Sequence, residues 1–281
     1  MHVAVTGGSG KLGRHVVDRL RADGHDVLVL DQQGAIRPGF LRIQLTDYGQ
    51  VIDALGGVRG ERPAVEAVVH LAAVPAPGLT SDAATFHNNM FATFNVWHAA
   101  LRLGIRRIVS ASSETVLGLP FDTPPPYVPV DESYPPRPES VYSLVKVLEE
   151  TMAAHLCRWH PDLALTALRF SNVMDVEDYR AFPAFDADPQ ARKWNLWSYI
   201  DGRDGAAAVS LALARTTPGY ECAIIASPDT VMSRPNAELV EAVFPGVPVT
   251  GELGEHDTLL SIQRARQVLG YRPEHSWRDH V

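Results

Sequence analysis

The chain alternates two kinds of apolar pattern. Short unbroken runs begin at Val3 and recur at Asp26–Leu30, Leu41–Leu45, Ala67–Ala72, Arg107–Ala111 and Leu163–Phe170. Their length and β-branched content fit strands buried on both faces. Between them lie segments with helical spacing. Leu12, Val16, Val17 and Leu20 share one face before Asp23-Gly24 stops the helix, Val51–Leu55 begins a short one, and Asp82–Leu103 and Ser140–Ala154 carry longer ones. Strand and helix in alternation predict βαβ units, hence an α/β fold with a doubly wound parallel sheet. After Phe170 the rhythm changes: Trp194, Trp197 and Tyr199 cluster, a helix spans about 203–214, a short strand 222–226, and helices 236–244 and 261–269 follow. We therefore expect residues 1–172 to form the main domain and 173–281 mostly a small lobe over the strand ends, with the strand near 222–226 returning to the sheet.

The Asp82–Leu103 helix is apolar over more than one stripe, with Phe86, Met90, Phe94, Val96, Trp97 and Leu101. Such breadth predicts a helix packed on the sheet on one side and on a second copy of the chain on the other, a homodimer.

Composition narrows the possible partners. With 281 residues and 46% apolar content the chain can bury a full core. A net charge of −8 without a Lys/Arg run argues against nucleic acid, and no long apolar span or basic tract marks a membrane partner. Cys157 and Cys222 are isolated, with neither disulfide nor metal-ligand spacing. Met1 leads directly into the first strand without room for a signal peptide, so a cytoplasmic location is expected.

The first strand turns into its helix through Gly7-x-x-Gly10-x-x-Gly13. Glycines admit a pyrophosphate close to the backbone, and the N–H groups at a helix start face its charge. Asp31 ends the second strand 18 residues after Gly13 and is followed by Gln32-Gln33 rather than a cation. A carboxylate there accepts ribose hydroxyls and repels a 2′-phosphate, which favours NAD over NADP in a Rossmann-type domain.

Tyr142 and Lys146 stand i, i+4 on one helix, so both project from the same face. A cation about 4 Å from a phenol, at an effective dielectric near 20, favours the phenolate by roughly 4 kcal/mol before desolvation opposes it. That predicts a Tyr142 pKa about two or three units below its usual value. Lysine is scarce here, at positions 11, 146 and 193 alone, so the pairing is unlikely by chance. Ser113, at the end of a neighbouring strand, is placed to hydrogen-bond the oxygen from which Tyr142 takes a proton. Residues 118–138, with eight of the chain's 21 prolines, lie between these segments and are expected to form an ordered loop on the rim of the site.

Thr6–Gly13, Asp31, Leu71-Ala72-Ala73, Ser112-Ser113, Tyr142–Lys146, Arg169–Val173 and the late Ser261–Pro273 stretch occur in the order found in extended short-chain dehydrogenases/reductases, the NAD-dependent epimerase/dehydratase group. The chain resembles that group over its whole length. The resemblance implies Ser113, Tyr142 and Lys146 as catalytic residues. It implies cofactor contacts at Gly7, Gly10, Lys11, Leu12, Asp31, Gln44, Leu45, Leu71, Ala72, Ala73, Tyr142, Lys146, Phe170, Asn172 and Val173, with Asn89 holding the lysine through water. Substrate contacts are implied at Ser112, Ser113, Glu114 and Asn172. There are departures. Gln44 replaces an Asp that binds adenine, and Glu114-Thr115 replaces the Asp-Glu pair of sugar dehydratases, which argues against dehydration. The 175–193 segment is short for holding a nucleotide, and the Trp-rich entry to the lobe is similar to uronate dehydrogenases of the group.

The expected activity is an NAD-dependent oxidoreductase acting on a hydroxyl of a sugar or sugar-acid-like small molecule. Nucleotide-sugar epimerisation with retained NAD, and cofactor binding without catalysis, are the alternatives. His70, alone in an apolar run, is read as a core histidine, Arg169 or Arg192 as candidates for a substrate carboxylate, and Asp201–Asp204 as a helix start.

Overall fold

The computed structural model describes residues 1–57 and 64–280. Seven strands form one parallel sheet: β1 (His2–Thr6), β2 (Asp26–Asp31), β3 (Phe40–Arg42), β4 (Ala67–His70), β5 (Arg107–Ser113), β6 (Ala164–Phe170) and, after a second small sheet, β9 (Gly219–Ile225). Their order is β3-β2-β1-β4-β5-β6-β9, so the chain reverses direction across the sheet between β1 and β4.

The pleat divides the core in two. Val3, Val5, Val27, Val29 and Val69 pack with α1 (Lys11–Ala22) and α5 (Gly202–Ala214) on one face. Ala4, Leu28, Leu30, Val68 and Ile108 pack with α2 (Tyr48–Gly56), α3 (Asp82–Arg102) and α4 (Val141–Trp159) on the other. Both neighbours of each central strand are apolar layers, which is why these strands read as continuous hydrophobic runs.

Several boundaries moved, and the causes are local. β3 stops at Arg42, although Leu45 stays buried. β4 ends at His70 because the Leu71 and Ala72 N–H groups donate to Thr6 Oγ1 and bend the chain off the sheet. β5 runs two residues past Ala111 because Ser112 and Ser113 pair with Arg169 and Phe170 of β6; polar side chains hid that extension.

Beyond β6, β7 (Val173–Met174) and β8 (Ile200–Asp201) form a two-stranded parallel sheet, with 3-10 turns at Val176–Ala187 and Pro189–Asn195 between them. Asp201 caps α5 by accepting from the Arg203 N–H, the helix start read from the sequence. The chain closes through α6 (Asn236–Val243) and α7 (Gln263–Leu269). The proline-rich loop is part of the core: Phe121, Val128 and Val130 are buried, and Val128 and Val130 bridge to Val249 and Leu260. No helix among the described residues is long and apolar enough to cross a membrane.

Candidate active site

The strand ends open onto one cleft of about 1090 Å³, at the reversal between β1 and β4 where open α/β sheets bind ligands. That is slightly more than the roughly 300–1,000 Å³ that holds one drug-sized ligand.

The three glycines do different work. Gly7 has φ +70°, and a Cβ on it would lie 2.7 Å from the Ala72 backbone nitrogen, so β4 and the loop meet there without space for a side chain. Gly13 is closed by the backbone of Gly7 and Gly8. Gly10 faces the cleft, and a Cβ there would meet nothing nearer than the Gly7 carbonyl at 3.3 Å. Gly10 is also the N-cap of α1 and offers no side-chain acceptor to the first-turn N–H groups. Lys11, Leu12 and Gly13 line the cleft, so those uncapped donors border the space left open at Gly10. This arrangement fits a dinucleotide's pyrophosphate. Glycine 10 provides the opening, whereas 7 and 13 hold the turn.

Asp31 lines the same cleft. Its carboxylate accepts from the Ser9 and Gln33 N–H groups at 2.9 and 3.1 Å. Two further lone-pair positions stay free for ribose hydroxyls. Leu45, Leu71, Ala72 and Ala73 form the adjoining wall. Gln44 is exposed beside this wall, and its amide oxygen accepts from Gln32, a lining residue, at 2.8 Å.

At the other end, a capping box fixes the start of α4. Ser140 Oγ accepts from the Ser143 N–H, and Ser143 Oγ from the Ser140 N–H. Tyr142 and Lys146, one turn apart, then both reach the cleft. Lys146 Nζ donates to the Ala111 carbonyl at 2.9 Å and to Glu149 Oε2 at 2.8 Å and sits 5.9 Å from the Tyr142 ring centroid. Ser113 Oγ accepts from both the N–H and the hydroxyl of Thr115, at 3.2 and 3.0 Å. With both lone pairs used, its own proton is left to donate towards Tyr142 or a substrate oxygen.

The expected fall in the Tyr142 pKa does not occur. Burial pushes the phenol up, and the nearby Lys146 charge and the Ser113 hydrogen bond offset this only in part. Glu149, which sequence reasoning missed, adds to the rise as a nearby negative charge. It is buried three residues after Lys146 on the same helix and forms an ion pair with it. The Glu149-Glu150 doublet was the available signal, since both positions fall on the lysine's face.

Phe170, Asn172 and Val173 line this end, with Glu114, Ser171 and Trp194. The Glu114 carboxyl accepts from Ser171 Oγ at 2.6 Å and Asn195 Nδ2 at 3.2 Å, and burial raises its pKa to about 7. Other assignments change. Ser112 meets the cleft, but its hydroxyl donates to Glu150 at 2.6 Å, away from any substrate. Arg169 is held bidentately by Glu150 at 2.9 and 2.7 Å and is not available to a ligand. Arg192 stands behind the wall, bonded to Asn172 Oδ1 and stacked on Trp194. Asn89 secures the loop after β4 through the N–H and carbonyl of Val74, at 2.8 and 3.1 Å. His70 lies between Thr6 and Thr93, and burial lowers its pKa to about 3, as expected of a core histidine. Trp197 is fully buried and packs the lobe.

The model of the NAD-dependent epimerase/dehydratase family matches residues 3–188. The chain belongs to that family. Among curated members it is 28% identical over 214 residues to UDP-glucose 4-epimerase of Bacillus subtilis, a match covering 71% of this chain and 60% of that protein. It is 27% identical over 281 residues to L-arabinose 1-dehydrogenase (NAD(P)(+)) of Haloferax volcanii, covering 96% and 95% of the two chains. Among solved structures, a short-chain dehydrogenase/reductase superfamily protein of Agrobacterium tumefaciens with bound NAD aligns with TM-score 0.75 and 24% identity over 100% of this chain and 94% of the other. The fold of this family member is thus that of an extended short-chain dehydrogenase/reductase, with NAD as the cofactor its cleft fits.

Proposed function

We propose that this chain is an NAD-dependent oxidoreductase acting on a hydroxyl of a sugar or sugar-acid-like small molecule. The observation that carries the reading is the meeting of Ser113, Tyr142 and Lys146 at the end of the cleft opposite the Gly10 opening and Asp31. NAD, when bound, supplies the hydride acceptor. Ser113 would donate a hydrogen bond to the substrate oxygen and keep its own proton, Tyr142 would take the hydroxyl proton as general base, and the Lys146 ammonium would stabilise the negative charge of the phenolate. Two of the three Lys146 N–H groups are used by Ala111 and Glu149, which leaves one for a ribose hydroxyl. Residues 173–281, apart from β9 in the main sheet and α5 packed on its face, act as the substrate lobe.

Similarity to a sugar dehydrogenase over nearly the whole of both chains supports a small substrate, although a UDP-glucose 4-epimerase of Streptococcus mutans also matches over 98% of this chain and 92% of that protein. Similarity to UDP-glucose 4-epimerase supports the second reading, epimerisation of a nucleotide sugar with NAD retained. A panel of free sugars, uronic acids and nucleotide sugars separates them. Accumulation of NADH on a free sugar or sugar acid is expected, and interconversion of a nucleotide sugar without net NADH would favour the epimerase. Tyr142→Phe should reduce turnover by about 100-fold or more, the usual worth of a general acid–base group. Turnover within a few-fold of wild type would refute the mechanism.

The active form is a homodimer. Phe86, Phe91 and Phe94 of α3 and Leu144 and Trp159 of α4 are exposed, whereas Val96, Trp97 and Leu101 of α3 are buried against the sheet. A second copy seated on the outer faces of these helices would cover the exposed rings. Both cysteines are free thiols, consistent with a cytoplasmic enzyme.

A further inference from the structure

Arg169 and Arg192 are the two cations that the sequence places near the substrate, and the fold commits both elsewhere. Arg169 is held by Glu150. Arg192 is buried outside the cleft lining, its guanidinium carbon 5.3 and 4.8 Å from the ring centroids of Phe185 and Trp194. Its N–H groups donate to Asn172 Oδ1 at 3.3 Å and to the Ser198 carbonyl at 3.1 Å, and its charge is set against the Glu114 carboxyl. The charged residues lining the cleft are Lys11, Asp31, Glu114, Glu139 and Lys146. Lys11, at the glycine turn, pairs with Asp178. Lys146 pairs with Glu149, and Arg137 and Lys193 pair with Glu139 and Asp122. Among the described residues, the Tyr142 end of the cleft thus presents carboxyl groups to a ligand and no uncommitted side-chain cation.

We propose that the substrate is an uncharged free sugar, its hydroxyls held by Glu114 and Asn172 and its carbon face laid on Trp194, and that sugar acids and nucleotide sugars are excluded for want of a cation. The inference rests on the oxidoreductase reading above and narrows its substrate. In the oxidation the sugar loses one C–H and one O–H bond, the hydride passing to the bound cofactor and the proton to Tyr142, and a carbonyl remains.

The polar groups at this end suit hydroxyls. The Glu114 carboxyl has Ser171 and Asn195 as partners and retains lone pairs for further donors. Asn172 has its Oδ1 taken by Arg192, so its Nδ2 is the group left to donate. An acceptor and a donor together match neighbouring hydroxyls, each of which does both. Trp194 has Arg192 against one face and lines the cleft, and an indole face packs well against the C–H groups of a sugar ring. A carboxylate or diphosphate in the same place would be desolvated without a counter-ion and would face Glu114. It escapes that repulsion only if Glu114 takes up a proton. Because this carboxyl titrates at about 7, the uptake costs about a factor of ten at pH 8.

The test is NADH formation by the full chain at pH 8 on a panel of aldopentoses and aldohexoses, the corresponding uronates, their uncharged uronamides, and UDP-sugars. At least one neutral sugar should show kcat/KM about tenfold or more above its uronate, and the uronamide should exceed the uronate at least about fivefold. Glu114→Gln should narrow the gap between sugar and uronate at least about fivefold; the uronamide comparison uses wild type and serves if that variant does not fold. Oxidation of no neutral sugar, equal rates on uronate and uronamide, or an unchanged gap in folded Glu114→Gln would overturn the proposal. A uronate oxidised as fast as its parent sugar would overturn it while leaving the oxidoreductase reading in place. Interconversion of a UDP-sugar without net NADH would overturn both.

Discussion

Replacing Glu114 by Gln tests how the substrate end of the cleft is built. Burial raises the pKa of this carboxyl from 4.5 to about 7, despite hydrogen bonds from Ser171 and Asn195 and the nearby Arg192 charge. A raised carboxyl pKa means that the folded chain holds a proton which the unfolded chain releases. Stability is therefore highest below the unfolded value and falls as pH rises from about 4.5 to 7. The difference of 7 − 4.5, at 1.36 kcal/mol per pH unit, gives a penalty of about 3 kcal/mol above neutrality. Roughly 2.5 kcal/mol of it develops between pH 5 and pH 8. Glutamine removes the titration at the cost of about 1 kcal/mol, because its NH₂ meets a donor unless the Ser171 hydroxyl rotates to accept. Urea unfolding of wild type and Glu114→Gln at the two pH values isolates the effect, since every other ionisable group is common to both proteins. The variant should gain about 2.5 kcal/mol on wild type from pH 5 to pH 8. A relative gain below about 0.5 kcal/mol would show that Glu114 is solvated and that the buried carboxyl description is wrong.

Two further outcomes follow from the geometry. Gly10→Ala should fold with a melting temperature near wild type yet bind NAD at least about tenfold more weakly, because its Cβ enters the pyrophosphate space; Gly13→Ala should instead fail to give stable protein, and the reverse ranking by calorimetry would refute the division of roles. Sedimentation at micromolar concentration should give a dimer, and Phe94→Glu a monomer; a monodisperse wild-type monomer would remove the α3–α4 interface.

The periodicity of apolar positions was enough to place six strands of the parallel sheet, the short seventh near 222–226 and the helices between them, because a strand covered on both faces is mostly an apolar run. The glycine turn, Asp31 and the Tyr142/Lys146 spacing were legible for the same kind of reason: each is a local pattern, complete within a few residues or one helical turn. What a side chain faces after folding was not. The sequence does not show that Ser112 and Arg169 turn away to Glu150, that Asn89 holds Val74, or that Gly7 and Gly13 are needed for packing while Gly10 leaves space. The direction of the Tyr142 pKa was also a tertiary matter, because it is a balance between burial, the charges of Lys146, Glu149 and Glu114, and the Ser113 hydrogen bond. The spacing determined that Lys146 would lie beside Tyr142, and only the packed interior, by burying both and setting Glu149 against the lysine, decided what that nearness does.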